Sequence, residues 1–146
     1  MNVEHGEHSA DTADPTFALN ALCEDEAVLA ALLYSSDGLV RAYSEGLSRE
    51  TAERMAAVFA GLQATAHNLA EFCGLPEGEL PWRYDVRDHG DHTILVVAAG
   101  ERTGIAVAVG APTTSPQVAI ATEATLKTIR GLRHALRVKE RESGRS

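Results

Sequence analysis

Hydrophobic and polar positions alternate along this chain in patterns that change period several times, and each change marks an element. "AVLAALLY" (Ala27–Tyr34) is apolar throughout. Its length, with the Asp-Gly pair that follows, predicts a strand buried on both faces. "LVRAYS" (Leu39–Ser44) then alternates, with Leu39, Arg41 and Tyr43 on one face and Val40, Ala42 and Ser44 on the other. Two strands flanking Asp37-Gly38 predict a hairpin with a type I′ turn, which needs φ > 0 at both central residues; Asp tolerates this and Gly prefers it. From Ser48 onward the period becomes helical. Ala52, Met55, Phe59, Leu62, Ala66, Leu69 and Cys73 recur at alternating spacings of three and four. They predict a helix of roughly 25 residues, about 37 Å long, ended by Gly74 and Pro76. Ser48 serves as its N-cap, with Glu50 and Glu53 in the first turns where the macrodipole favours negative charge. A second strip, Ala56, Ala57, Ala60, Gly61 and Ala64, consists of small residues. This helix therefore has two faces to bury.

"LPWRYDVRD" (Leu80–Asp88) sets Trp82, Tyr84 and Val86 against Arg83, Asp85 and Arg87, the pattern of a half-exposed strand entered through Pro81. "HTILVVAAG" and "GIAVAVGA" predict two apolar strands, reached by tight turns at His89-Gly90-Asp91 and Gly100-Glu101-Arg102. Ser115 as N-cap and Pro116 at the first helical position open a last helix with Val118, Ala121, Leu126, Ile129, Leu132 and Leu136 as its buried stripe. At the other end Asp14-Pro15 opens a short helix carrying Phe17, Leu19 and Leu22 and ending near Glu26. The order is α-ββ-α-βββ-α, an α+β domain over residues 14–138 with an antiparallel sheet under its helices. The polar, aperiodic stretches 1–13 and 139–146 read as disordered tails.

Composition narrows the class. The 146 residues suit one domain able to bury a core without staples. No apolar run approaches the roughly 20 residues of a membrane span, and the acidic, polar start has no signal-peptide pattern. These features predict a cytoplasmic protein without membrane insertion. A formal net charge of −8 repels phosphate backbones and argues against nucleic acid as a partner. Cys23 and Cys73, the only cysteines, are expected as two buried thiols rather than a disulfide.

The chain offers little to an enzyme. Asp37 reads as a turn residue, because no second acid, His or ligand set sits at a usable spacing from it. His89-x-x-His92 with Asp88 and Asp91 has a metal-like gap, but the segment also has the composition of a strand-to-strand turn. "GERTG" and "GAPTTSP" lack both the Gly-Lys-Ser/Thr ending of a P-loop and the G-x-G-x-x-G spacing of a dinucleotide site. No serine lies in a G-x-S-x-G elbow. The expectation is a non-enzyme with no cofactor and no metal site.

The element order, together with Ser36-Asp37-Gly38-Leu39, Ser44, Glu53-Arg54 and Ala56-Ala57, resembles the Roadblock/LC7 family. The resemblance extends from about Asp14 to Leu136 and is specific in its first half. It implies a five-stranded antiparallel sheet with the long helix on one face and the terminal helices on the other. It also implies a homodimer in which the long helices pair and the Leu80–Asp88 strand joins its copy. Ala56, Ala60, Ala64, His67, Trp82 and Tyr84 are the expected interface residues. Such proteins regulate or scaffold small Ras-like GTPases, and the actinobacterial type is encoded beside a sensor histidine kinase and a Ras-like GTPase. If the chain accelerates GTP hydrolysis, Arg41, Arg49 and Arg54 are candidates for an arginine supplied in trans. The alternatives are a small-molecule sensor, since sheets with covering helices often enclose pockets, and a purely structural dimerisation module.

Overall fold

The computed structural model describes residues 14–144, with side chains described as far as His134. The stretch 1–13, expected as a tail, lies outside the described residues. The elements are α1 (Pro15–Leu22), β1 (Val28–Ser35), β2 (Val40–Tyr43), α2 (Arg49–Thr65), two 3₁₀ turns (Ala66–Leu69 and Glu71–Cys73), β3 (Tyr84–Asp88), β4 (Thr93–Ala98), β5 (Thr103–Val109) and α3 (Pro116–Gly144). The expected order α-ββ-α-βββ-α holds. All strand pairs are antiparallel, in the spatial order β2-β1-β5-β4-β3. No helix of the described residues is long and apolar enough to cross a membrane.

Alternation along the central strands sorts the core into two layers. Ala31, Leu33, Leu95, Val97, Ile105 and Val107 face α1 and α3, meeting Leu19, Leu22, Val118, Ala121, Ile129 and Leu132. Leu32, Tyr34, Val96 and Ala106 face the opposite way and pack against Ala52, Ala56 and Ala60 of α2. The sheet is thus covered by the long helix on one side and the terminal helices on the other.

Capping residues act where their chemistry placed them. Asp14 accepts from Thr16 N–H at 3.0 Å ahead of Pro15, Ser48 accepts from Thr51 N–H at 3.1 Å, and Ser115 Oγ accepts from Val118 N–H at 3.4 Å. Ser44 has a role that periodicity could not supply. Its N–H donates to Ala31 C=O while its buried Oγ accepts from Ala31 N–H at 2.9 Å, so one serine completes the backbone pairing at the end of β2.

Several boundaries and facings differ from expectation. Helix α1 stops at Leu22 rather than near Glu26, because Asp25 accepts from Ala27 N–H and turns the chain into β1. The long helix is α-helical only to Thr65, whose hydroxyl donates to Leu62 C=O, and continues as 3₁₀ turns until Gly74 closes it in the left-handed region. In α3 the buried position is Thr125, whose hydroxyl donates to Ala121 C=O, and Leu126 is exposed; Leu136 lies beyond the described side chains. The helical backbone runs on to Gly144, through residues assigned from sequence to a tail. Cys73 is exposed and Cys23 half-buried, both as free thiols, so the pair is not a buried one.

The Asp37-Gly38 hairpin forms with a different turn. Gly38 N–H bonds Ser35 C=O and Ser35 N–H bonds Leu39 C=O, so Ser36 and Asp37 are the central pair. Of the three loop residues only Gly38 has positive φ, at +88°. This is the three-residue loop with a left-handed glycine, not type I′. Asp37 accepts a hydrogen bond from Ser35 Oγ, and this, with backbone donors and the nearby Arg41 charge, holds its carboxyl below the ordinary 3.8. A depressed carboxyl stabilises the fold above its unfolded pKa and loses that contribution as pH falls through the folded value. Asp37→Asn is therefore expected to melt slightly below the parent protein at pH 6, with the gap closing as pH drops below 3.8. Paired thermal melts at pH 6 and pH 3 check this; a gap that widens in acid contradicts it.

Candidate functional site

The most distinctive surface lies where β3 ends the sheet. Its backbone pairs with β4 on one side only. Ala98 N–H donates to Arg83 C=O and His89 N–H to His92 C=O at either end, so alternation directs the backbone groups of odd-numbered residues inward to β4. Those of Tyr84, Val86 and Asp88 point outward along a free edge. Cross-strand partners assign the side chains to faces. Tyr84 and Val86 sit opposite Val97 and Leu95 on the terminal-helix side, yet are 54% and 41% exposed. Asp85 and Arg87 sit opposite Val96 and Ile94 on the α2 side.

Helix α2 lies over β1 and β2 and stops short of this edge. Its core line is Ala52, Ala56, Ala60 and Gln63, and these short side chains, with Gln63 at the far end, bring the helix close to β1. Met55 and Phe59 flank that line and overhang β5 and β4. There, with Leu32, Ile94, Ala106 and Ala108, they line an apolar groove of about 260 Å³. Val58 on the outer side of α2 is exposed, as is Leu69 beyond its end, and Phe72 is 92% exposed. The uncovered apolar flank of α2 thus faces across β5 and β4 toward the open strand edge.

Within the site Tyr34 is an anchor. Fully buried, it donates to Gln63 Oε1 at 2.8 Å and packs against Phe59 with ring centroids 6.0 Å apart. Burial, and secondarily the Asp85 charge, push its phenol far above the ordinary range, so it keeps its proton and remains a donor.

The expected interface residues divide. Ala56 and Ala60 are 0% and 8% exposed against the sheet, so neither is available to a partner without opening the domain. The physical reason is helix-to-sheet distance: the small strip lets α2 approach, and the larger Met55, Phe59 and Leu62 are displaced to its side. Ala64 and His67 are exposed. Trp82 and Tyr84 do not share a face, because regular pairing begins only at Tyr84 and Trp82 turns to pack on the α2 layer. Trp82 Nε1 is buried with no hydrogen-bond partner among the described residues and borders a polar recess with His67, Arg83 and Arg133.

The three candidate arginines surround the start of α2. Arg49 pairs with Glu53 at 3.5 Å and Arg54 with Glu50 at 3.7 Å, both as exposed i,i+4 pairs of small energetic weight, while Arg41 lies exposed on β2. Asp88 at the end of β3 and His89, Asp91 and His92 in the β3–β4 turn are all exposed, Asp88 accepts from Gly90 N–H, and no metal-binding group of three ligands occurs among the described residues. Sequence reasoning gave no role to Val58, Phe72, Asp85 or Arg87. Only the last two left a readable signal, in the alternating charges of Arg83-Tyr84-Asp85-Val86-Arg87-Asp88.

Comparison with known proteins agrees with this architecture. The family profile of the Roadblock/LC7 domain matches residues 17–109. A Roadblock/LC7 domain from Streptomyces avermitilis superposes with a TM-score of 0.71 at 24% identity, covering 84% of this chain and 98% of that one. Myxococcus xanthus MglB gives 0.69 at 16% identity over 83% and 93% of the two chains. The gliding protein MglB of Thermus thermophilus gives 0.65 at 20% identity over 81% and 84%. No curated protein matches the sequence.

Proposed function

The chain belongs to the Roadblock/LC7 family, and we propose that it is a non-enzymatic homodimer that regulates or scaffolds a small Ras-like GTPase in the cytoplasm. The observation that carries the dimer is the coincidence of an unpaired β3 edge with the apolar flank of α2 on the same side. A two-fold axis through β3 answers both at once, since the second copy extends the sheet and brings its own Met55–Phe59 flank over the groove. The helix contact then uses Met55, Val58, Phe59 and Leu62 rather than the alanine strip. The actinobacterial type that the chain resembles also suggests a sensor histidine kinase upstream.

Regulation follows from gripping the GTPase's switch loops, which the γ-phosphate orders. Binding is therefore expected to be at least about tenfold tighter in one nucleotide state, a difference of about 1.4 kcal/mol. Affinities measured for the Ras-like GTPase encoded nearest this chain, loaded with GDP and with a non-hydrolysable GTP analogue, test this; equal affinities remove state reading. If hydrolysis accelerates, loss of the effect on Arg41→Ala, Arg49→Ala or Arg54→Ala identifies an arginine in trans. Survival through all three assigns the effect to the GTPase's own residues.

A further inference from the structure

We propose that Asp85 and Arg87 form a self-complementary charge code on the free β3 edge, which sets the register of the two-fold seam and selects a second copy of this chain as the partner strand. The inference rests on the dimer reading above and adds which residues decide the pairing.

The geometry restricts the choices. Outward-facing backbone groups belong to Tyr84, Val86 and Asp88, so an antiparallel copy must pair even-numbered residues with even-numbered ones. A slip by one residue also puts side chains on the wrong faces. Centring the seam on Val86 sets Val86 against itself and Tyr84 against Asp88, and exchanges about six backbone hydrogen bonds. On the α2 face the same register sets Asp85 against Arg87 twice, once on each side of the axis. Moving the axis to Asp85 sets two aspartates together and Arg83 against Arg87. Moving it to Arg87 sets two arginines together. Directly opposed like charges destabilise a strand pair and opposite charges support it, so only the Val86-centred register uses all of β3 with every charge on that face matched. Neither Asp85 nor Arg87 has an ion-pair partner within the chain among the described residues. Arg87 sits across from Ile94, which lines the apolar groove, and a second copy laid on this edge shields both charges from water, where screening weakens.

Charge exchange tests the code in the full-length protein. Asp85→Arg leaves two arginines on the α2 face of the edge, and Arg87→Asp leaves two aspartates. Each variant alone is expected to raise the dimer dissociation constant about tenfold or more. An equimolar mixture of the two is expected to recover a dimer containing one chain of each, because every opposed pair is then Arg against Asp. The double variant Asp85→Arg/Arg87→Asp is expected to dimerise with itself and to avoid the parent chain. Sedimentation with one chain fluorescently labelled reads all of these, and circular dichroism confirms that each variant is folded. Single variants that dimerise as tightly as the parent, or a double variant no better than the singles, overturn the charge code while leaving the dimer standing. A parent chain that is monomeric, or folded variants that associate only with a different protein, overturn the dimer itself.

Discussion

Gly104→Ala is expected to lower stability by about 3 kcal/mol, from overpacking of about 1–3 kcal/mol together with strain on a buried hydrogen bond. Gly104 lies directly across from Tyr34 in the β1–β5 pairing, and the tyrosine ring occupies the space a side chain would take. An added Cβ would sit 2.8 Å from Tyr34 Cε1 and closer still to Cζ and Oη. The ring has nowhere to go, being fully buried, packed against Phe59 and held by Gln63 at 2.8 Å. For a domain of this size the loss corresponds to a fall in Tm of roughly 10 °C. The cause can be isolated: with Tyr34→Leu already present, the same glycine change is expected to cost under about 1 kcal/mol, a coupling typical of touching side chains. A single Gly104→Ala variant melting with the parent protein contradicts the account of this contact.

Ala56→Glu is expected to be more damaging, at about 3–5 kcal/mol, a large share of the roughly 5–15 kcal/mol that holds a domain of this kind together. Ala56 has no exposed surface and abuts the Leu32–Tyr34–Val96 layer, so a carboxylate there is buried without a partner. Ala64→Glu, only two turns along α2 but on its exposed side, is expected to change stability by under about 0.5 kcal/mol and to leave the dimer intact. Urea denaturation of the two variants checks the contrast. Equal stability would mean that α2 does not rest on its alanine line.

That contrast also locates where sequence stopped being informative. Strands with unbroken apolar runs, such as Ile94–Val97 and Ile105–Val109, announced themselves, as did helices with Asp14, Ser48 or Ser115 in front of them. Which side of α2 meets the sheet was not decided by periodicity, because two strips shared the same helical spacing. The decision fell to approach distance, and small residues won over Met55 and Phe59, a tertiary effect with no local signature. Trp82 misled for a related reason: alternation was extended backward past Arg83 to Trp82 and Pro81, which do not pair with β4. The Asp-Gly turn was legible as a turn but not as a type, since the choice depends on whether Asp37 itself takes positive φ. Asp85 and Arg87 were visible as alternating charges, yet their significance required knowing that β3 ends the sheet.

Sedimentation of this chain with the Ras-like GTPase encoded nearest it, loaded with a non-hydrolysable GTP analogue, tests the functional account most directly. The chain alone is expected at twice its 15.5 kDa, and the mixture as one species containing two copies of the chain with bound GTPase. A chain sedimenting as a 15.5 kDa monomer at micromolar concentration, or a dimer that sediments apart from the GTPase, would contradict it.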